Sequence, residues 1–192
     1  EALELNPGSY EALTSLVFLH IESGASTMLP ANDRDLEKAK AYLETVRALN
    51  PASSRPDRYM GNIYRKENDL DKALDSYQKA NNMIEDKESQ LYRNGLLMQG
   101  HVYTFKGEYD KGREKYYEGR SGAMKNQDYQ WSMAFTNYIA QGYLYQKDFA
   151  SAISVLSEMQ QTVESFEETE LQKINRKSFL EFFKFIAFGH SQ

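Results

Sequence analysis

Residues 58–80 read RYMGNIYRKENDLDKALDSYQKA, and this stretch decides the fold. Gly61 is followed three positions on by Tyr64, and after a polar break come Ala73, Tyr77 and Ala80. Steps of three and four place the members of each group on one face of a helix. Small residues let two helices approach closely, and an aromatic ring fills the space beside that contact. The segment therefore encodes two helices, a tight turn at Asn68-Asp69 and an intimate contact between them.

The same offsets recur along the chain. QGHVYTFKGEYDKGREKYYEG (99–119) carries Gly100, Tyr103, Gly112, Tyr116 and Gly119, and IAQGYLYQKDFASAISVLSEM (139–159) carries Ala140, Tyr143, Ala152, Leu156 and Met159. Upstream, YEALTSLVFLH supplies Leu13, Leu16, Val17 and His20, and LEKAKAYLETVRALNP supplies Ala39, Leu43 and Val46 before Pro51. ALELNP near the start parallels ALNP before Pro51, so residues 1–7 read as the tail of an earlier unit and the natural start as lying upstream. FIAFGH (185–190) parallels YIAQGY (138–143), with Ala187 and His190 in the small and aromatic slots.

On these residues the chain resembles the tetratricopeptide repeat family over nearly its whole length, as a fragment of a larger repeat protein. The resemblance implies an all-α fold, a right-handed α-solenoid of antiparallel helix hairpins. It divides a single solenoid, 1–192, into the tail 1–7 and repeats at 9–51, 54–84, 87–124 and 127–163, followed by a partial repeat or capping helix at 166–192. Spacing departs from the usual 34 residues. The step from small residue to Ala is 12 in three hairpins (61 to 73, 100 to 112, 140 to 152) but 22 in the first, from 17 to 39. The extra length falls in a loop, 23–34, around SGASTMLPAND, read as a tolerated surface insertion or a cover for the end of the groove. Elsewhere the surplus lies between hairpins, which calls for longer helices or longer turns.

Periodicity and stop signals predict helices near 9–22, 35–49, 56–67, 70–83, 87–106, 109–124, 128–146, 149–163 and 168–190. Gly24 and Pro30 bracket the inserted loop, Pro51 and Pro56 mark the next turn, and Lys106-Gly107 and Lys147-Asp148 fill tight turns. Asp69 and Asp148 are expected helix caps. Gly112 and Gly119, where the pattern prefers Ala, mark either close helix contact or a softer third hairpin.

Composition fits. Hydrophobic residues make up 41% and charged residues 27% of 192, with 14 Tyr and only four Pro. The net charge of −5 gives no basic footprint for nucleic acid. The absence of Cys excludes disulfides and thiolate metal sites. No apolar run reaches membrane-spanning length. The compartment stays open, the cytoplasm ahead of periplasm or secretion.

Catalytic motifs fail on inspection. GEYDKGRE (107–114) has the glycine spacing of a phosphate loop, but Arg113 and Glu114 replace its Lys and Ser/Thr, and it joins two helices. His20, His101 and His190 fall on separate helices with no metal-ligand spacing, and His20 and His190 occupy the slot of Tyr64, Tyr103 and Tyr143, where core packing explains them. Glu164, Glu167, Glu168 and Glu170 read as a solvated helix start. The expectation is a chain without enzymatic activity, cofactor or metal.

The resemblance implies that the first helix of each hairpin lines a concave groove taking peptides or partner helices. One turn from the small positions, this selects Thr14 and Phe18; Arg58, Asn62 and Arg65; Leu97, His101 and Phe105; and Asn137, Tyr138, Gln141 and Tyr145. Asn and Gln donate and accept, which suits a peptide backbone. Arg forks a carboxylate, and Tyr gives wide contact at low entropic cost. Tyr138 and Tyr145 also read as inter-repeat core. Arg58 and Asn62 resemble the start of the carboxylate clamp that some family members use on chaperone tails, yet its continuation positions hold Met98, Ala134 and Tyr138. The functional expectation is a protein-interaction module, an adaptor or scaffold with a protein or peptide partner. The alternatives are a regulatory or sensor segment of a larger enzyme or signalling protein, or a spacer that self-assembles as a homo-oligomer.

Overall fold

The structure is a computed structural model that describes residues 9–21, 35–166 and 169–189. The inserted loop at 23–34, residues 1–7, Glu167, Glu168 and His190 lie outside the described residues. Nine α-helices form among the described residues: α1 Tyr10–Ile21, α2 Leu36–Leu49, α3 Arg55–Lys66, α4 Leu70–Asn82, α5 Gln90–Phe105, α6 Tyr109–Lys125, α7 Tyr129–Tyr145, α8 Phe149–Thr162 and α9 Glu170–Gly189. A 3-10 turn, Val163–Ser165, follows α8, and there is no strand among these residues. Each helix starts and stops within three residues of its predicted bounds.

The chain divides into two compact units, Glu1–Glu85 and Asp86–Gln192. In the first, α1 packs on α2, α3 on α4, and α3 on both α2 and α1. Val17, Ile21, Ala39, Leu43 and Ile63 make its buried cluster. Tyr77 of α4 is fully buried against Gly61 of α3, where a Cβ would lie 2.6 Å from the Tyr77 ring. The small residue and the aromatic of the deciding stretch thus form one contact across the hairpin. Arg47 at the end of α2 donates two hydrogen bonds to the Asp57 carboxylate, both 3.0 Å, and fixes the start of α3. Pro56 sits in the first turn of α3, where its missing N–H leaves no helical bond unmade.

In the second unit α5 packs on α6, α6 on α7, α7 on α8 and α8 on α9. Tyr116, Phe135, Ile139, Ala152, Leu156 and Leu180 lead its buried cluster. Gly100 receives Tyr116 within the α5/α6 hairpin as Gly61 receives Tyr77. Gly119 receives the Phe135 ring of α7, and a Cβ on Gly112 would lie 3.1 Å from the Gly100 carbonyl oxygen. Both glycines therefore mark close helix contact and not a softened hairpin.

Four turns share one geometry. Asn68, Gly107, Gln127 and Lys147 take positive φ of 61°, 76°, 55° and 60°. The next residue donates its N–H back into the preceding helix: Asp69 to Tyr64 O at 2.8 Å, and Glu108, Asp128 and Asp148 to Tyr103 O, Ala123 O and Tyr143 O, each at 2.9 Å. Asp69, Asp128 and Asp148 then cap the following helix, accepting from the N–H of Lys72, Trp131 and Ser151. The surplus spacing is met in both expected ways, since α6 and α7 are 17 residues each while α4 and α5 are separated by an extended turn. That turn delays α5 to Gln90. Asp86 Oδ1 accepts from Glu88 N at 2.9 Å, and Ser89 caps the helix through Tyr92 N.

Candidate functional site

In the first unit the selected groove residues separate by burial. Thr14 is buried, its hydroxyl donating to Tyr10 O, while Phe18 is exposed. Arg58, Asn62 and Arg65 stand half-buried on one face of α3, at steps of four and three. The Tyr77 hydroxyl donates to Asn62 Oδ1 at 2.6 Å, which turns the Asn62 NH2 away as a donor. Burial raises the Tyr77 pKa, and the Arg65 and Arg58 guanidinium groups beside it act in the opposite sense. No carboxylate of a described residue forms an ion pair with Arg58 or Arg65, whereas Arg47, Arg55, Arg93, Arg113 and Arg120 each hold one. Arg65 Nε is buried with no hydrogen-bond partner within the protein. The face of α3 is accordingly rich in donors and poor in acceptors.

In the second unit Leu97 is buried in the core, which removes it from the expected surface, and Phe105 is 63% exposed. His101, Tyr116 and Tyr138 form a cluster between α5, α6 and α7. His101 Nδ1 lies 2.8 Å from the Tyr116 hydroxyl, and its ring meets Tyr138 edge-on at 4.6 Å. Tyr138 also stacks on Tyr116 at 5.4 Å, so it is half core and half surface. Desolvation pushes the Tyr116 pKa up to about 12, keeping its hydroxyl protonated. Tyr145 does not enter the core; it is 59% exposed and stacks on Tyr109 at 5.5 Å. Gln141 is half-buried. His20, in the first unit, is buried, accepts the Asp35 N–H at 3.1 Å and lies beside Tyr42, a packing role as expected.

A cavity of about 500 Å³ opens between the N-terminal halves of α7 and α9. Gln130, Met133, Ala134 and Asn137 line it from α7. Gln172, Asn175, Arg176 and Phe179 line it from α9. Asn137 is half-buried, and its Oδ1 is fully buried with no hydrogen-bond partner within the protein. Of these eight residues the sequence pattern selects Asn137 as a groove contact and places Ala134 at a continuation position of the clamp. A signal was present: Gln130, Ala134 and Asn137 repeat at steps of four and three, a stripe of polar and small side chains on an otherwise apolar helix. Among the described residues no group of three or more His, Asp or Glu side chains is placed to hold a metal, and no helix is long and apolar enough to cross a membrane.

No family model matches the chain, and no curated protein sequence does. Solved structures do. The crystal structure of MamA is 19% identical, with 85% of this chain and 84% of that chain covered and a TM-score of 0.59. Two crystal structures of Podosopora anserina kinesin light chain repeats, described as nearly identical TPR-like repeats, give TM-scores of 0.69 and 0.71 at 10% and 11% identity. Each covers 96% of this chain, and 87% and 88% of those chains respectively. At such identities the likeness speaks for the fold alone. The chain has the all-α tetratricopeptide-type solenoid fold, built from antiparallel helix hairpins.

Proposed function

We propose that this chain is a non-catalytic protein-interaction module, which holds an extended peptide or helix of a partner protein against the first helices of its hairpins. The observation that carries this reading is the donor face of α3. Arg58, Asn62 and Arg65 offer two guanidinium groups and one amide NH2 in a row. In a chain of net charge −5, whose other described helical arginines mostly hold carboxylates, this arrangement suits an anionic group on a partner. His101, Tyr138, Gln141 and Tyr145 supply mixed polar and aromatic contact in the second unit, with Asn137 beside them.

The test replaces Arg58 and Asn62 by Ala together and measures capture of protein partners on the immobilised chain. Losing two such contacts removes about 1.5–3 kcal/mol or more, so capture falls roughly tenfold or further while helicity by circular dichroism is unchanged. Unaltered capture would sink the reading. A second reading, self-association, is favoured by the apolar residues α9 leaves exposed, Ile174 at 58% and Phe185 at 74%. Sedimentation over a wide concentration range decides it, and a strict monomer removes it.

A further inference from the structure

We infer that the cavity between α7 and α9 binds a small neutral polyol, a sugar of one or two rings, with a hydroxyl donating to Asn137 Oδ1 and a ring face against Phe179. This activity goes beyond the interaction reading and does not need it, since the ligand is a small molecule and the α3 face takes no part. The cavity is built from two matched helix faces. Gln130 to Asn137 on α7 and Gln172 to Phe179 on α9 line it at the same spacing, i, i+3, i+4 and i+7. Its volume of about 500 Å³ falls within the range of small-molecule pockets. Asn137 Oδ1 is buried with no hydrogen-bond partner in the protein. An acceptor in that condition is costly unless something in the cavity donates to it.

The walls decide the class of ligand. Gln130, Asn137, Gln172 and Asn175, half of the lining residues, carry carboxamides, each with an oxygen that accepts and an NH2 that donates. Gln172 Oε1 is already engaged, accepting from the N–H and hydroxyl of Thr169, both at 2.9 Å, which leaves its NH2 as the outward donor. The ligand must therefore donate to Asn137 and accept from Gln172. A hydroxyl does both through one oxygen, and neighbouring hydroxyls on a sugar ring repeat that capacity along the wall. An ionised carboxylate or phosphate brings acceptors alone and leaves Asn137 Oδ1 unpaired. An ammonium group brings donors alone and leaves the carboxamide NH2 groups without acceptors. A purely apolar ligand pairs with none of them. Phe179, 44% exposed, supplies a flat apolar surface for the C–H face of a sugar ring. On the α7 side Ala134 is small enough to leave room beside Asn137, and Met133 adds apolar wall. An amide ligand also donates and accepts, but through separate atoms on opposite edges of a plane, so it cannot serve both groups from one position.

The experiment uses the full chain, with the Asn137 side-chain amide followed by NMR. The probes are maltose, cellobiose and diacetylchitobiose at millimolar concentration, three neutral disaccharides that differ in linkage and in an acetamido group. At least one should give a saturable shift of the Asn137 signal and a thermal midpoint that rises with its concentration. Deoxy analogues of that sugar then locate the donating hydroxyl, and its loss should weaken binding about tenfold. In the Asn137→Leu chain the parent sugar and that analogue should bind alike. Phe179→Leu should weaken the parent sugar severalfold while helicity by circular dichroism is unchanged. Four results would overturn the inference. The first is no saturable shift with any of the three sugars, since a water then completes Asn137. The second is a deoxy series in which no member binds more weakly, and the third a tenfold difference that survives Asn137→Leu. The fourth is acetyl-alanine methylamide binding as tightly as the best sugar, which assigns the cavity to an amide. The deoxy series on the unaltered chain needs no variant, so the inference stays refutable even if Asn137→Leu does not fold.

Discussion

Arg93 and Asp128 make an ion pair in the second unit whose loss should be strongly asymmetric. Arg93 is 4% exposed; its Nη2 donates to Asp128 Oδ2 at 2.8 Å and its Nη1 to the Glu88 carbonyl. The pair ties the first turn of α5 to the cap of α7. Replacing Arg93 by Met keeps much of the buried stem and removes the charge. The lost charge-assisted bond costs about 1.5–3 kcal/mol. Glu88 O keeps the Asn126 Nδ2 donor at 3.1 Å, so it is not orphaned. Removing Nε, which is buried without a partner in the protein, returns about 1 kcal/mol. Asp128 stays partly hydrated, its side chain 28% exposed. The net cost is about 0.5–2 kcal/mol. Asp128→Ala does the reverse: it strands a buried guanidinium and strips the cap from the Trp131 N–H, for about 3–5 kcal/mol. Urea unfolding read by fluorescence measures both, because Trp131 is the only Trp and lies beside the pair. Should Arg93→Met cost as much as Asp128→Ala, or Asp128→Ala cost under about 1 kcal/mol, the reasoning fails.

The left-handed turns give a second expectation: Gln127→Gly, at φ 55°, stabilises by about 1 kcal/mol, while Gly107→Ala costs a similar amount although nothing lies within 4 Å of its Cβ position. Denaturation midpoints check both. Gly119→Ala should cost about 1–3 kcal/mol despite better helix propensity, because its Cβ enters the Phe135 ring, and Phe135→Leu in the same chain should cost less than on its own. Gly122→Ala, meeting the Arg93 stem at 3.6 Å (Cδ) and 3.8 Å (Cγ), should be neutral or stabilising by up to about 1 kcal/mol. The capping carboxylates set acid sensitivity. Asp69 is held below the usual carboxylate range by the Lys72 ammonium and the Lys72 N–H, and Asp148 by the Ser151 side chain and N–H. A pKa depressed in the folded state stabilises above the unfolded value and is lost as pH falls through the folded one. Stability should therefore drop below about pH 4, and Asp69→Asn with Asp148→Asn should flatten that drop in acid titrations followed by circular dichroism.

Much of the fold was legible because the contacts that build it are local. Gly61 and Tyr77 lie 16 residues apart, meet across a single turn, and announce themselves by size. The Gln127-Asp128 turn was harder to see. Its left-handed position holds neither Gly nor Asn, and only the structure shows Gln127 accepting that backbone so that Asp128 can cap α7. The start of α5 misled for a related reason, since 86–89 has helical composition but the Asp86 and Ser89 side chains bond locally and hold the backbone off the helix. The site was less legible than the fold. Offsets from a small residue say which face a side chain shares, not how deep it sinks. Thr14 and Leu97 sank into the core, Tyr145 stayed out, and Gln172, Asn175 and Arg176 fell on a helix with no completed hairpin to align against.

The placement of bulk also explains why a strict repeat motif would have misread the second unit. The slot that is Val46 in α2 is Gly119 in α6, and the slot that is Pro56 in α3, the helix packed on α2, is Phe135 in α7, the helix packed on α6. All four positions are buried. Volume has moved across the interface from one helix to the next with the packing kept dense, as close-packed interiors demand. Gly119 thus departs from the pattern because its neighbour does, and the two departures account for one another. The same logic bears on function. A first helix that gives its bulk to the preceding hairpin, as α7 does through Phe135, can carry small or amide side chains at Ala134 and Asn137 without losing its seat. The cavity beside α9 is the space this arrangement leaves.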